Sequence, residues 1–209
     1  MALIAYHDVG FSAGDRKVFK GFNLEVREGE KVLIFGRSGT GKSTILKMLL
    51  GFTRPDSGRV SFEGREVDRR NVWEVRRRVA YVSQDLDMAD GRVRDFLDWT
   101  FGIKANRGIV GSWERLRGYM EWMELGQEII DTVMADLSGG EKQRLALAVA
   151  LSLGREVFLL DEVTSAVDPR MRSRIVDLFT NLKTSTVLAV SHDETWLRAA
   201  GIRVMELRG

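Results

Sequence analysis

The sequence has 209 residues, a length that corresponds to one large domain and excludes a chain of several domains. Lys plus Arg number 32 and Asp plus Glu number 30, so the formal net charge is only +2. A chain so nearly neutral has no strong positive field, and we expect no nucleic-acid partner. The sequence contains no cysteine, which excludes disulfides, thiolate chemistry and cysteine-ligated zinc.

Hydrophobic patterning argues against a membrane-spanning or exported chain. No apolar run approaches the roughly 18 residues needed to cross a bilayer. The start, Met1-Ala2-Leu3-Ile4, resembles a strand and lacks the basic region and long apolar stretch of a signal peptide. We therefore expect a cytoplasmic protein.

Short apolar runs alternate with helical stretches, which predicts an α/β fold. The predicted strands are Leu3–Val9, Asn23–Val26, Lys31–Phe35, Arg59–Phe62, Val79–Val82, Val157–Leu160, Thr186–Val190 and Arg203–Leu207. The predicted helices include Lys42–Leu50, Glu141–Leu153 and Arg170–Leu182. Val32–Phe35, Val157–Leu160 and Val187–Val190 are apolar on consecutive residues, which is typical of a parallel sheet buried on both faces.

Between about Asp85 and Asp136 the strand pattern stops and the sequence turns helical and aromatic. This stretch predicts a helical subdomain inserted into the α/β core. Trp113, Leu116, Met120 and Met123 recur at helical spacing and are expected to form its core. Phe96, Trp99 and Phe101 are expected to lie partly exposed in a groove that receives a partner helix. Basic residues cluster around Trp73 and are expected to be solvated surface: Arg69, Arg70, Arg76, Arg77 and Arg78.

The first candidate site is Gly36-Arg37-Ser38-Gly39-Thr40-Gly41-Lys42-Ser43, which fits the phosphate-binding pattern G-x-x-x-x-G-K-[ST]. It follows a predicted strand and opens a predicted helix, the context that this pattern requires. Its glycines let successive backbone N–H groups point at phosphate oxygens. Lys42 is expected to bridge the β- and γ-phosphates, and the Ser43 hydroxyl to ligate Mg²⁺. We predict a nucleoside triphosphate site formed by these residues and Thr44.

The second candidate site is the acidic end of an apolar strand, Val157-Phe158-Leu159-Leu160-Asp161-Glu162. A buried parallel strand delivers its last residues to the carboxyl edge of the sheet, where ligands bind. Asp161 is expected to hold the hydration shell of Mg²⁺. Glu162 is expected to orient or deprotonate the water that attacks the γ-phosphate.

The third site separates this chain from the kinases and GTPases that share the first two. A serine N-cap followed by two glycines explains part of Leu137-Ser138-Gly139-Gly140-Glu141-Lys142-Gln143-Arg144. The whole octet resembles the signature of the ATP-binding cassette (ABC) ATPases, LSGG[EQ] followed by [KR]-Q-R. The resemblance implies that Ser138, Gly139, Gly140 and Glu141 of one subunit cover the γ-phosphate held by the other subunit.

Other motifs of that family occur in order along the chain. Gln84 matches the Q-loop glutamine, which reaches Mg²⁺ and water and senses a transmembrane partner. Ser165-Ala166-Val167-Asp168 matches the D-loop, which crosses the dimer interface and brings Asp168 near the nucleotide. His192 matches the switch histidine, which contacts the γ-phosphate and the attacking water. The resemblance covers roughly residues 3 to 208.

The resemblance implies the architecture and the activity. The expected fold is a P-loop NTPase core with a mainly parallel sheet, an antiparallel β subdomain and an inserted helical subdomain. One domain is expected over 1–209, with the core at about 1–84 and 137–209 and the helical subdomain at about 85–136. The expected function is Mg²⁺-dependent ATP hydrolysis by an ATP-driven homodimer that powers a separate membrane-spanning permease subunit. Through that partner the chain would sit on the cytoplasmic face of the inner membrane.

The sequence departs from the family where adenine is usually stacked. The family pattern Val-x-Phe-x-Tyr aligns with Val9-Gly10-Phe11-Ser12-Ala13 and places an alanine at the stacking position. Val18 is expected to touch the base, and another ring, Phe11, Phe19 or Tyr6, could replace the missing aromatic.

Two narrower interpretations remain open. Short peptides such as Phe62-Glu63-Gly64 resemble bacterial iron-export ABC ATPases. The alternative to a transporter subunit is a non-transport ABC ATPase of the iron–sulfur assembly type. Members that act in DNA repair are excluded, because about 50 residues between Gln84 and Ser138 leave no room for their long coiled coils.

Overall fold

The computed structural model describes residues 1–86, 91–109 and 111–207. Within them the strands are β1 (Ala2–Ala13), β2 (Arg16–Arg27), β3 (Lys31–Phe35), β4 (Ser57–Phe62), β5 (Arg65–Glu66), β6 (Val79–Val82), β7 (Val157–Asp161), β8 (Thr186–Ser191) and β9 (Arg203–Glu206). The α-helices are α1 (Lys42–Leu49), α2 (Val72–Arg78), α3 (Val93–Gly102), α4 (Ser112–Trp122), α5 (Gly139–Ser152) and α6 (Pro169–Asn181). Short 3₁₀ helices cover Gln127–Asp131, Met134–Asp136 and Glu194–Arg198.

A parallel sheet in the order β6-β7-β8-β3-β9 forms the centre of the fold. Alternate residues of its inner strands point into two different cores. In β3, Leu33 belongs to the core shared with α5 and α6, whereas Val32 and Ile34 belong to the core shared with α1. Burial on both faces therefore explains why these strands are apolar at consecutive positions, as predicted.

An antiparallel sheet in the order β2-β1-β4-β5 packs against α1 from the other side. The Tyr6 hydroxyl of β1 donates a 2.8 Å hydrogen bond to the Ile45 carbonyl of α1, and both residues are buried. Burial raises the pKa of Tyr6, so the phenol stays protonated and keeps this bond. The antiparallel sheet is thus joined by a shared core and a buried hydrogen bond to α1, the helix that follows the predicted phosphate-binding loop Gly36–Ser43 (the P-loop).

Helices dominate the stretch between β6 and α5, in line with the sequence. Leu116, Met120 and Met123 are fully buried, which confirms their predicted core role. Trp113 is half-buried and packs against Phe101, with ring centroids 5.2 Å apart.

Two arginines from neighbouring helices hold the end of α4. Arg144 of α5 donates to the carbonyl oxygens of Met123 at 2.9 Å and Glu124 at 3.2 Å. Arg174 of α6 donates to the Trp122 carbonyl at 2.8 Å and stacks its guanidinium 4.6 Å from the Trp122 ring centroid. The helical stretch is therefore attached to the two helices that carry the proposed signature and follow the proposed D-loop.

The largest difference from the predicted elements is the β1–β2 hairpin. The sequence predicts Leu3–Val9 and Asn23–Val26, but the paired strands run over Ala2–Ala13 and Arg16–Arg27. Most of the added residues lie toward the tip of the hairpin and are exposed or half-buried, so they lack the regular apolar alternation by which strands are recognised. Several register shifts in β1 break the pattern further.

Gly140, near the start of α5, approaches the loop before α6 closely. A Cβ atom on Gly140 would lie 2.9 Å from the Ala166 carbonyl oxygen, whereas one on Gly139 would have Ala166 Cβ at 3.9 Å as its nearest neighbour. Two adjacent glycines of one helix therefore differ in whether they have room for a methyl group.

We expect Gly140→Ala to lower the free energy of unfolding by about 1–2 kcal/mol, because the new methyl displaces backbone. Gly139→Ala is the matched control, and we expect it to be neutral or stabilising by up to about 1 kcal/mol, because alanine restricts the unfolded chain. Urea unfolding followed by tryptophan fluorescence measures both. Equal losses in the two variants would contradict the close approach.

Candidate active site

The candidate catalytic groups meet because three neighbouring parallel strands end at one edge of the sheet. β8 lies between β7 and β3 in the sheet. The P-loop follows β3, Asp161 ends β7, and His192 follows β8. Residues that lie far apart in the sequence thus converge at the carboxyl edge, where open α/β sheets bind ligands.

The P-loop contains glycines whose backbone conformation other residues adopt poorly. Gly39 and Gly41 have φ angles of 79° and 90°, and Gly41 is the N-cap of α1. A Cβ on Gly41 would lie 2.6 Å from Val18 Cγ1 and 2.8 Å from Phe19 Cε1. Gly41 therefore provides both the turn and the space against β2.

Lys42 is buried at the start of α1 and points back into the loop. Its Nζ donates to the carbonyl oxygens of Gly36 at 2.8 Å and Arg37 at 2.9 Å. The same atom lies 3.1 Å from Glu162 Oε1, and both side chains are only 5% exposed. The proposed phosphate-binding cation and the proposed catalytic carboxylate thus form a buried ion pair.

Glu162 is held at both carboxylate oxygens. Its Oε2 accepts hydrogen bonds from Ser191 Oγ at 3.1 Å and the His192 backbone N–H at 3.2 Å, and it lies 3.0 Å from His192 Nδ1. Burial on its own would raise the pKa of Glu162, but the contacts with His192 and Lys42 outweigh it and lower the pKa. The backbone φ of Glu162 is 50°, a rare conformation for a residue with a side chain.

Asp161 lies beside Glu162 but bonds to different partners. Ser43 Oγ donates to Asp161 Oδ1 at 2.7 Å, and the Tyr81 hydroxyl donates to Asp161 Oδ2 at 3.1 Å. Burial raises the pKa of Asp161, although both hydrogen bonds oppose that shift. Burial, together with the nearby Asp161 charge, also raises the pKa of Tyr81 to about 12, so Tyr81 remains a donor at neutral pH.

The donor set around Asp161 suits Mg²⁺. Ser43 and Asp161 supply a hydroxyl and a carboxylate oxygen within 2.7 Å of each other, and Mg²⁺ prefers oxygen ligands. The described residues include no group of three or more His, Cys, Asp or Glu side chains able to hold a metal. Mg²⁺ is usually bound by one or two carboxylates together with substrate phosphates and water, and Asp161 beside Ser43 fits that donor set.

Several predicted site residues lie apart from this cluster. Gln84 is exposed just after β6, and no hydrogen bond within the described part of the chain joins it to Asp161 or Ser43. Ser138 and Glu141 cap α5 reciprocally, with Ser138 N donating to Glu141 Oε2 at 2.8 Å and Glu141 N donating to Ser138 Oγ at 3.3 Å. Asp168 caps α6 by accepting from the backbone N–H groups of Arg170 and Met171, both at 3.0 Å.

Sequence reasoning missed some residues that contact the site. Tyr81 and Ser191 donate directly to the two acidic residues. Both lie at or next to the ends of β6 and β8, shortly before Gln84 and His192, so their position at the carboxyl edge was the available signal. A hydroxyl alone does not indicate which carboxylate it meets.

The position expected to stack adenine lies at the tip of the β1–β2 hairpin. Ala13 is exposed and pairs with Arg16, while Val18 and Phe19 are half-buried beside Gly41. Tyr6 is fully buried and bonded to α1, so its ring is not available as a replacement. Phe19 is the nearer substitute, because it already contacts the P-loop.

A groove of about 670 Å³ runs between the parallel sheet and the helical stretch, next to the segment that contains Gln84. Phe96 and Trp99 line it, as predicted, and Trp99 is 66% exposed. Phe101 is not among the lining residues and packs against Trp113 instead, so its predicted place in the groove is wrong.

The basic cluster at the groove is more structured than the solvated surface expected from the sequence. The Arg76 guanidinium lies 4.4 Å from the Phe52 ring centroid and 4.8 Å from that of Trp73. Arg78 forms ion pairs with Glu63 and Glu156. Only Arg69, Arg70 and Arg77 are exposed as expected.

A sequence model of a protein family and individual related sequences point to the same family. The sequence model of the family described as ABC transporter matches residues 19–165. The energy-coupling factor transporter ATP-binding protein EcfA1 of Bacillus subtilis is 33% identical over 202 residues, which cover 91% of this chain and 70% of that protein. A putative ABC transporter ATP-binding protein of Archaeoglobus fulgidus is 36% identical over 203 residues, covering 93% of this chain and 68% of the relative.

Solved structures agree with the sequences. The ATP-binding cassette MJ0796, in a dimeric post-hydrolysis state with ADP and phosphate, has a TM-score of 0.84 at 26% identity and covers 98% of this chain and 94% of its own. CbiO1 from Clostridium perfringens, part of the transporter complex CbiONQ, shares the fold with a TM-score of 0.73 at 24% identity, over 92% of this chain and 79% of its own. These matches and the arrangement at the sheet edge show that the chain belongs to the ABC transporter family of ATP-binding proteins.

Proposed function

We propose that the chain is the ATP-binding and ATP-hydrolysing subunit of an ABC transporter, acting on a separate membrane-spanning partner. The observation that carries this proposal is the meeting of Lys42, Ser43, Asp161, Glu162 and His192 at one edge of the sheet. These residues supply a cation for phosphates, oxygen ligands for Mg²⁺ and a carboxylate for water. A P-loop protein needs these groups in order to transfer a phosphoryl group to water.

The triphosphate is held by the loop from Gly36 to Ser43, with Thr44 in the first turn of α1. Backbone N–H groups at the start of a helix carry partial positive charge and favour phosphate oxygens. Lys42 neutralises the β- and γ-phosphates once it exchanges the Gly36 and Arg37 carbonyls for them. Ser43, Asp161 and Gln84 would hold Mg²⁺, which supplies charge neutralisation on the phosphate oxygens when bound.

Glu162 serves as the general base or the orienting group for water. Its lowered pKa keeps it ionised at neutral pH, which is the form that accepts a proton. His192 lies 3.0 Å from Glu162 and its side chain is 58% exposed, so it is free to face the γ-phosphate from the same edge. When Lys42 turns toward the phosphates, Glu162 Oε1 loses its partner and becomes available to water.

Completion of the site requires a second copy of the chain. Ser138 and Gly139 are exposed at the N-terminus of α5 and take no part in the cluster around Lys42. A helix N-terminus with exposed backbone suits a phosphate arriving from another subunit. We therefore assign Ser138, Gly139, Gly140 and Glu141, together with Asp168, to the nucleotide held by the other subunit of an ATP-dependent homodimer.

The groove beside the Gln84 segment is the proposed contact with the membrane subunit. It has an apolar floor, and exposed Trp73 and Trp99 lie along its rim. Exposed tryptophan is common at the centre of protein interfaces. Within the described residues no helix is both long and apolar enough to cross a bilayer. Attachment to the cytoplasmic face of the inner membrane would then depend on this contact.

The proposal includes a division of the chain into a core and a helical subdomain, and it can be compared with the narrower functions considered above. We propose one domain over 1–209, with a core of about 1–84 and 137–209 and a helical subdomain of about 85–136. The relatives named above are ATP-binding proteins of transporters, and they give no support to a role in iron–sulfur assembly. The resemblance to iron-export ATPases stays a prediction.

We expect Mg²⁺-dependent ATPase activity that is lost in Glu162→Gln, because general-base catalysis contributes about 10²–10⁴-fold. Lys42→Ala should also abolish turnover, through loss of phosphate binding. Glu66→Gln, which neutralises an exposed carboxylate on β5, is the control and should keep wild-type activity. Phosphate release measures the ATPase activity of the purified wild type and of the three variants. Undiminished turnover in Glu162→Gln would contradict the proposal that Glu162 is the general base or the group that orients water.

The shared-nucleotide arrangement predicts dimerisation that depends on ATP. Glu162→Gln with ATP should elute from gel filtration as a dimer and without ATP as a monomer. Adding Ser138→Arg should block the dimer while nucleotide binding persists, because the arginine fills the position of the γ-phosphate from the opposite subunit. A Glu162→Gln, Ser138→Arg protein that still dimerises with ATP would contradict this arrangement.

Base recognition should be weak because Ala13 offers no stacking face. Base–aromatic stacking is worth about 1–3 kcal/mol, so we expect ATP and GTP affinities within roughly tenfold, or about 1.4 kcal/mol. Ala13→Tyr should tighten ATP binding several-fold. Glu25→Tyr, which adds the same ring at the far end of the hairpin, is the control. If the wild type already prefers ATP by about a hundredfold and Ala13→Tyr adds nothing, Phe19 or another ring already supplies the stacking.

A further inference from the structure

The aspartate that follows His192 connects the segment after β8 to two other parts of the chain. Asp193 Oδ2 accepts a 2.9 Å hydrogen bond from Thr164 Oγ1 and lies 3.1 Å from Arg172 Nε. Its Oδ1 accepts from the Thr195 backbone N–H at 2.9 Å. Burial alone would raise the pKa of Asp193, but the Thr195, Thr164 and Arg172 contacts outweigh it and lower the pKa. The carboxylate is therefore charged at neutral pH.

Arg172 lies in the first turn of α6, directly after the Ser165–Asp168 segment. Its backbone N–H donates to the Asp168 carbonyl at 2.9 Å, and its Nη2 donates to the Val167 carbonyl at 3.3 Å. The same guanidinium is paired with Asp193. One side chain thus touches both the proposed D-loop and the segment that carries His192.

From Asp193 a short path leads to the catalytic carboxylate. The Asp193 backbone N–H donates to Ser191 Oγ at 3.0 Å, and Ser191 Oγ donates to Glu162 Oε2 at 3.1 Å. Ser191 and Glu162 are almost completely buried, so water competes little for these bonds. A shift of Asp193 therefore moves the partners of Glu162.

The contact between Arg172 and Asp193 is an ion pair rather than an aligned hydrogen bond. The buried Arg172 Nε has no hydrogen-bond acceptor in good geometry within the described part of the chain, although the carboxylate is close. Hydrogen-bond strength depends steeply on angle. The pair therefore responds to small movements of α6 relative to the end of β8.

We propose that Arg172 is a positioning residue, which sets the placement of His192 and Glu162 according to the position of the D-loop. The inference rests on the proposed function, because it assumes that the D-loop moves when two subunits close over ATP. Closure that displaces Val167 and Asp168 would carry Arg172 with them and align it with Asp193. Hydrolysis is then fastest in the closed dimer.

The experiment compares Arg172→Met, which keeps the length and apolar stem of the side chain, with Arg172→Lys, which keeps the charge. Arg198→Met is the matched control, since Arg198 lies six residues after His192, is 81% exposed and pairs only loosely with Glu194, at 3.8 Å. Steady-state ATPase kinetics give kcat and KM for each protein. Gel filtration of each substitution in the Glu162→Gln background reports ATP-dependent dimerisation.

We expect Arg172→Met to lower kcat about tenfold, equivalent to about 1.4 kcal/mol, while KM for ATP and dimerisation change less than about twofold. Arg172→Lys should recover part of the rate, and Arg198→Met should match the wild type. Asp193→Asn should have the same effect as Arg172→Met, and the double variant should lose little more, because both remove one contact.

The outcomes distinguish this inference from the proposed function. An active wild type with an unchanged kcat in Arg172→Met overturns the inference and leaves the proposed function in place. Loss of dimerisation or a rise in KM that accounts for the whole defect also overturns it, since Arg172 would then be merely structural. A wild-type protein without ATPase activity refutes the proposed function and, with it, the inference.

Discussion

Burial of the parallel sheet on both faces is the constraint from which the rest of the structure follows. Strands with consecutive apolar residues have no face to offer to water, so helices must cover them from one side and α1 with the antiparallel sheet from the other. These strands can therefore change from apolar to polar residues only where they leave the core. That change occurs at the carboxyl edge, where Asp161 ends β7 and Ser191 and His192 follow the apolar run of β8.

The buried pair of Lys42 and Glu162 gives this edge its electrostatic character. Two charges removed from water are tolerated only when each is matched by its partner and by further hydrogen bonds. Both conditions hold, since Lys42 also donates to two carbonyls and Glu162 also accepts from Ser191 and His192. A triphosphate offers Lys42 more negative charge than one carboxylate does. In the proposed site, nucleotide binding would therefore release Glu162 without leaving Lys42 unpaired.

The sequence predicted the buried strands and the helices α1, α5 and α6 well, because each has a strong local pattern. Lys31–Phe35 and Val79–Val82 were predicted to the residue. The sequence-based prediction was wrong at the hairpin tip and at Phe101. Solvent exposure at the tip and the neighbouring Trp113 ring at Phe101 determine the structure there, rather than the local sequence pattern. The contacts that link Arg172 through Asp193 to Ser191 could not be predicted from the sequence for the same reason. They join residues that are adjacent only after the sheet and α6 have packed together.

The hydrogen bond between Tyr6 and Ile45 has a consequence for how the molecule can bend. The β1–β2 hairpin shares one core with α1, whereas the helical stretch belongs to the other core across the sheet. Hinge motion of the helical stretch would leave the hairpin and the P-loop as a single rigid body. Movement of the helical stretch would then leave unchanged the part of the nucleotide site that the hairpin and the P-loop form within one subunit, while the contacts proposed for Gln84 and for the opposite subunit would remain free to change.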